Sequence, residues 1–151
     1  MIDRSFIGYQ CPSSRLTIER GRLRFFAKAI GETDPVYTDV DTARAAGFDD
    51  LPAPPTFLFS AELASGAVFE VLDTLSIHKD RILHGEQGFI YHRVPVAGET
   101  VVVTTTVEDI YEKKGGRLEF VVRVSEVRTD DGELVAELRS VLVVRNPPAR
   151  S

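Results

Sequence analysis

Apolar residues recur at helical spacing through the first half of the chain and at every second position through the last. Between residues 18 and 30, Ile18, Leu23, Phe26, Ala27 and Ile30 share one side of a helix, and Gly31 is a natural stop. Thr17 stands at the expected N-cap, with Glu19 in the first turn. A full capping box is missing, because Arg20 sits where it needs Glu or Gln. Residues 1–14 read as an irregular lead-in broken by Gly8 and Pro12. Pro35 bars further helix and drives Asp34 toward an extended backbone. A short helix is expected from about Asp39 or Asp41 to Ala46, with Gly47 as its cap.

Leu51-Pro52-Ala53-Pro54-Pro55-Thr56 is a stiff connection, and proline at the start of a helix costs little. The run from Phe57 to Leu72 is apolar around most of a helix, interrupted by Ser60, Glu62, Ser65 and Glu70. Such a helix needs burial on several sides, and it is predicted to begin near Pro55. After about residue 80 the period becomes two. An extended segment spans roughly Ile82 to Arg93, ended by Pro95 and Gly98. A Val- and Thr-rich strand runs from Val101 to Tyr111, and Lys114-Gly115-Gly116 turns it into the next. There Leu118, Phe120, Val122 and Val124 alternate with Glu119 and Arg123. Asp130-Asp131-Gly132 reads as a hairpin turn before Leu134, Ala136, Leu138, Ser140, Leu142 and Val144. The pattern predicts one α+β domain over 1–151, an antiparallel curved sheet wrapped around a long central helix.

A net charge of −5 argues against nucleic acid as a partner. Arg15, Arg20, Arg22 and Arg24 cluster near the N-terminus. Arg22 and Arg24 fit either a docking edge for an acidic partner or, more simply, a solvated helix face. Cys11 is the one cysteine, so no internal disulfide forms, and no nearby His offers ligand spacing; neither metal nor other cofactor is expected. No apolar run reaches membrane-spanning length, and Met1-Ile2-Asp3-Arg4 lacks the apolar stretch of a signal peptide. A cytoplasmic location is the expectation.

The segment Gly31-Glu32-Thr33-Asp34-Pro35-Val36-Tyr37 resembles the hydratase motif of the MaoC-like hot dog family, Gly-Asp-x-Asn-Pro-x-His. Three further strings extend the resemblance over nearly the whole chain: Ala53-Pro54-Pro55-Thr56-Phe57, Leu83-His84-Gly85-Glu86-Gln87-Gly88-Phe89 and Val96-Ala97-Gly98-Glu99-Thr100. The nearest likeness is to N-terminal-type MaoC domains, including the substrate-binding subunits of mycobacterial (3R)-hydroxyacyl carrier-protein dehydratases. The resemblance implies a hot dog fold that dimerises, with itself or with a catalytic MaoC-like subunit. It implies reversible dehydration of (R)-3-hydroxyacyl-CoA or acyl carrier protein thioesters.

That chemistry needs a base for water, an acid for the α-carbon, and N–H donors for the enolate oxygen. Glu32, Asp34 and Tyr37 stand where the family has Asp, Asn and His. Tyrosine is a poor base at neutral pH. Pro54-Pro55 matches the family's His-Gly pair, and proline has no N–H to offer an oxyanion. The expected catalytic candidates are therefore Asp34, Glu32 and His84, and the expected substrate-binding residues are Tyr37, Pro55, Thr56, Phe57, Gly85 and Gln87. Four of them have a structural alternative: Asp34 as a turn cap, Tyr37 at the core edge, His84 as a hydrogen-bonded strand residue, Phe57 as core. On a regular strand His84, Glu86 and His92 would share a face with Gln87 opposite, while His78 and Lys79 would lie in a solvated loop. The expectation is a substrate-binding subunit. The alternatives are an autonomous dehydratase, a hot dog thioesterase, or a non-catalytic acyl-binding module.

Overall fold

The computed structural model describes residues 1–64 and 66–147. Five strands form one antiparallel sheet: β1 (Ser14–Thr17), β2 (Ile82–Tyr91), β3 (Thr100–Lys113), β4 (Leu118–Thr129) and β5 (Leu134–Arg145). Their order is β1-β3-β4-β5-β2. Helices α1 (Arg20–Ala29), α2 (Val40–Ala45), α3 (Phe59–Ala64) and α4 (Ala67–Thr74) complete the domain. The expected layers are present.

Both N-terminal helices stop where their glycines predicted. Gly31 and Gly47 take the left-handed backbone, at φ +73° and +95°. The start of α1 differs from expectation. Thr17 ends β1, paired with Thr100, and Glu19 takes the N-cap position without a side-chain cap bond. The lead-in carries one 3-10 turn at Arg4–Phe6, and its last residue, Ser14, already belongs to β1.

The central helix is not one rod from Pro55. A hydrogen-bonded turn follows the prolines, α3 begins at Phe59, and the chain breaks at Gly66, whose φ is +73°, before α4. The apolar count in the sequence says nothing against a continuous helix, but one left-handed residue is enough to redirect the axis.

The sheet's covered face carries two apolar clusters. Leu16, Leu23, Leu58, Ala61, Val103, Val127 and Leu138 belong to one; Val71, Leu72, Val107, Ile110, Val121 and Leu142 to the other. A polar belt crosses between them. On β3 Thr105 lies between Val103 and Val107; on β5 Ser140 lies between Leu138 and Leu142; on β4 Arg123 and Ser125 lie between Val121 and Val127. From α3, Glu62 reaches into this belt. The covered face of β4 is therefore Glu119, Val121, Arg123, Ser125 and Val127. The alternating set Leu118, Phe120, Val122 and Val124 has the opposite parity. Those residues stand on the outer face, where Phe120 stacks on Tyr111 at 4.7 Å.

Candidate functional site

The motif loop is built by its own side chains. Glu32 accepts hydrogen bonds from the Thr33 and Asp34 amides at 2.8 and 2.9 Å. Asp34 accepts from the Val36 amide at 2.9 Å and caps the 3-10 turn Pro35–Tyr37. Proline in the first position of that turn leaves no amide unmet. Val36 packs onto the core cluster that contains Phe57 and Leu58. Tyr37 lies beside both carboxylates. Partial burial first, then the charges of Glu32 and Asp34, push its phenol above the ordinary value. A base at this position would need the opposite shift.

The second element is the start of the helical segment. Pro52, Ala53 and Pro54 are buried, while Pro55 and Thr56 are exposed. The Pro55 carbonyl accepts the hydroxyl of Tyr91, a residue of β2 that sequence reasoning passed over. Burial drives the Tyr91 phenol up to about 12. Pro55 brings no amide N–H, and among the described residues the Thr56 amide makes no backbone hydrogen bond. Thr56 is thus the available donor at the turn leading into α3. Phe57 is buried edge-on against Phe26 at 5.4 Å, the core placement among its two readings, although it also borders a surface groove with Gly21, Phe25 and Ser60.

The third element is β2. A bulge between His84 and Glu86 rearranges the expected faces. His84 pairs with Leu142 and Gln87 with Ser140, so both look to the covered side; Glu86 pairs with Val141 on the outer side, 3.4 Å from Arg139. His84 therefore has no carboxylate neighbour on its strand face, contrary to the regular-strand expectation. Its ring stacks on Phe59 of α3 at 5.1 Å. His92 lies beyond the strand, 3.2 Å from Glu137. Gly85 is required by packing at the bulge, since a Cβ there would meet Val143 at 2.8 Å and the Val141 carbonyl at 3.2 Å. His78 and Lys79 are exposed, as expected, with Lys79 over the Phe69 ring at 4.8 Å.

Inside, Glu62 and Arg123 form a charge pair at 3.7 Å with side chains 1% and 2% exposed. Ser125 donates to Glu62 at 2.5 Å and Arg123 donates to Ser140 at 2.9 Å. Among the described residues Glu62 Oε2, Arg123 Nε and Gln87 Oε1 have no hydrogen-bond partner. Cys11 lies within the field of this pair, and burial raises its thiol. Sequence reasoning missed the belt because Glu62 and Arg123 are 61 positions apart and each reads locally as a solvated charge. Among the described residues no three His, Cys, Asp or Glu side chains gather as metal ligands. No described helix is long and apolar enough to cross a membrane. A concavity of about 670 Å³ lies on the outer face, along Ile90, Thr104, Thr106, Val124 and Arg139, and holds none of the candidate residues.

A curled five-stranded antiparallel sheet around a split helix, with a motif loop and a proline turn beside it, defines a hot dog domain of the MaoC dehydratase type. Comparison of the fold agrees. The HadBC (3R-hydroxyacyl-ACP dehydratase) complex of Mycobacterium tuberculosis superimposes with a TM-score of 0.80 at 25% identity, over 91% of this chain and 96% of that one. A MaoC-like dehydratase matches with a TM-score of 0.82 at 21% identity, over 94% of this chain and 43% of that one.

Residues 5–138 match the family described as the FAS1-like dehydratase domain region, and the chain belongs to that family. A UPF0336 protein of Streptomyces avermitilis is 35% identical over 145 residues, covering 95% of each chain. Another, from Parafrankia sp., is 38% identical over 150 residues, covering 97% of this chain and 98% of its own.

Proposed function

We propose that this chain is the substrate-binding subunit of a two-subunit (3R)-hydroxyacyl-thioester dehydratase, whose catalytic partner carries the intact Gly-Asp-x-Asn-Pro-x-His motif. One observation carries the reading: both motif carboxylates are committed to their own loop. Glu32 and Asp34 accept backbone amides, and the residue in the histidine position is a phenol shifted away from base strength. What remains suits binding. The Thr56 amide lies in the turn leading into α3, has no backbone acceptor among the described residues, and is left to hold a thioester oxygen.

The partner would join along β2. This strand offers ten residues of edge, against four in β1, and it carries exposed Leu83 and Ile90. An open edge of that length invites pairing. The HadBC and ChsH1-ChsH2 complexes from Mycobacterium tuberculosis, both similar in fold, are themselves assemblies of two named components. The thioester is carried by CoA or an acyl carrier protein, and the site calls for neither metal nor redox cofactor.

The test is hydration of crotonyl-CoA and longer enoyl-CoA by the isolated chain, then by the chain mixed with the MaoC-like product of the neighbouring reading frame. The isolated chain is expected to be weak or inactive and the mixture active. Loss of a general acid-base group costs about 100- to 10,000-fold in rate, and loss of one oxyanion donor about 3–4 kcal/mol. The two losses do not simply add. Robust turnover by the isolated chain that vanished in Asp34→Asn or His84→Ala would move catalysis onto this chain and overturn the reading.

A further inference from the structure

The exposed side of α1 is unlike the rest of this acidic molecule. The helix holds Arg20, Arg22, Arg24 and Lys28 and no acid, in a chain of net charge −5. Its inward side is Leu23 and Ala27, both fully buried. On the opposite side Arg22, Phe25 and Lys28 follow at three-residue steps, which places them in one stripe about 9 Å long. Phe25 is 76% exposed, the most exposed large apolar side chain after Met1 among the described residues. Arg20 and Arg24 are occupied elsewhere, on Asp50 and on the Thr38 carbonyl. Arg22 has only a solvated contact with Glu19 at 3.3 Å, which is weak and screened.

Beside this stripe the groove lined by Gly21, Arg22, Phe25, Phe26, Phe57 and Ser60 runs from α1 to α3. It reaches from Phe25 to Phe57, the residue after Thr56. Gly21 presents no side chain to obstruct it.

From this arrangement, and resting on the function proposed above, we infer that the Arg22–Phe25–Lys28 face of α1 docks an acidic acyl carrier protein. The groove then leads its prosthetic arm to Thr56. An apolar anchor flanked by cations along one helix face is the anatomy of a protein contact. It offers an acidic helix both charge complementarity and one desolvated ring. A free nucleotide-linked thioester would instead call for cations converging on its phosphates, and here they are strung along the helix. Charge complementarity of this kind steers association and weakens with salt.

The test is calorimetric titration of the chain with a purified acidic acyl carrier protein loaded with a crotonyl group, and in parallel with crotonyl-CoA. The loaded carrier is expected to bind more tightly than crotonyl-CoA, with an affinity that falls as salt rises. Arg22→Glu with Lys28→Glu is expected to weaken carrier binding about tenfold or more, and Phe25→Ser to weaken it as well; Lys28→Glu alone, outside the groove lining, is expected to weaken carrier binding and leave crotonyl-CoA binding unchanged. All three side chains are exposed, and an unchanged melting temperature checks that the fold is intact. Unaltered carrier affinity in the charge-reversed protein overturns the inference. Binding of crotonyl-CoA without binding of the carrier also overturns it, while leaving the proposed function standing. Binding of neither thioester overturns both.

Discussion

Tyr91 holds the turn that presents Thr56. Its hydroxyl reaches the carbonyl of Pro55, 36 positions earlier, and its ring stacks near Phe89. Tyr91→Phe removes one hydrogen bond and leaves the carbonyl of exposed Pro55 to solvent. We expect about 1 kcal/mol of lost stability by urea melts, with weaker thioester binding as the turn loosens. A spectrophotometric titration gives the second check, since the wild-type phenol ionising near pH 12 should disappear in the variant. Asp50 makes a different residue-scale prediction. Paired with Arg20 at 2.8 and 2.5 Å, its carboxyl is lowered to about 2. A depressed folded value means the contribution is present above the unfolded value of 3.8 and is lost as pH falls toward 2. Asp50→Asn should therefore be less stable than the wild type at pH 7, with the difference shrinking between about pH 4 and pH 2 as the wild-type carboxyl takes up its proton.

At the scale of elements, the polar belt decides how the helical segment sits on the sheet. Glu62 ties α3 to Arg123 and Ser125 of β4 just before the break at Gly66. Deleting one partner of a buried charge pair leaves the other uncompensated. Glu62→Leu or Arg123→Met alone is expected to cost about 3–5 kcal/mol, read as a lowered denaturant midpoint. The double variant Glu62→Leu with Arg123→Met should recover most of the loss, because an apolar pair of similar volume removes both desolvation penalties. A double variant no better than the singles would mean that the belt's hydroxyls, rather than its charges, hold the helix.

At the scale of the whole molecule, β2 is the longer of the sheet's two edges, and the proposed partner would join along it. We expect sedimentation velocity to show a dimer at micromolar concentration, with a second copy or with the catalytic subunit. Leu83→Lys with Ile90→Lys should shift it toward monomer, since charges on an edge strand discourage pairing. A stable monomer under all these conditions, with no partner found, would count against the assembly and against the completion of a site across it.

Much of the local structure is legible in the chain alone, for local reasons. Gly31 and Gly47 stop helices because a left-handed residue is cheapest as glycine, and Asp130-Asp131-Gly132 closes a hairpin on the same ground. Pro55 removes an N–H and Tyr37 replaces an imidazole whatever the fold does with them. Other features required tertiary contacts. Alternation along β4 shows that its faces differ but leaves open which is covered, because Val121 and Val127 on one parity match Val122 and Val124 on the other; the answer came from α3 placing Glu62 against Arg123. The face of Glu86 turned on one extra residue in β2, where Gly85 lies too close to Val143 for a side chain. A bulge reverses the sides of every residue beyond it, and it is set by pairing with a strand some 55 positions away. Pattern is a property of neighbours in the chain, whereas register, burial and the Tyr91–Pro55 contact belong to residues that meet only once the sheet has curled.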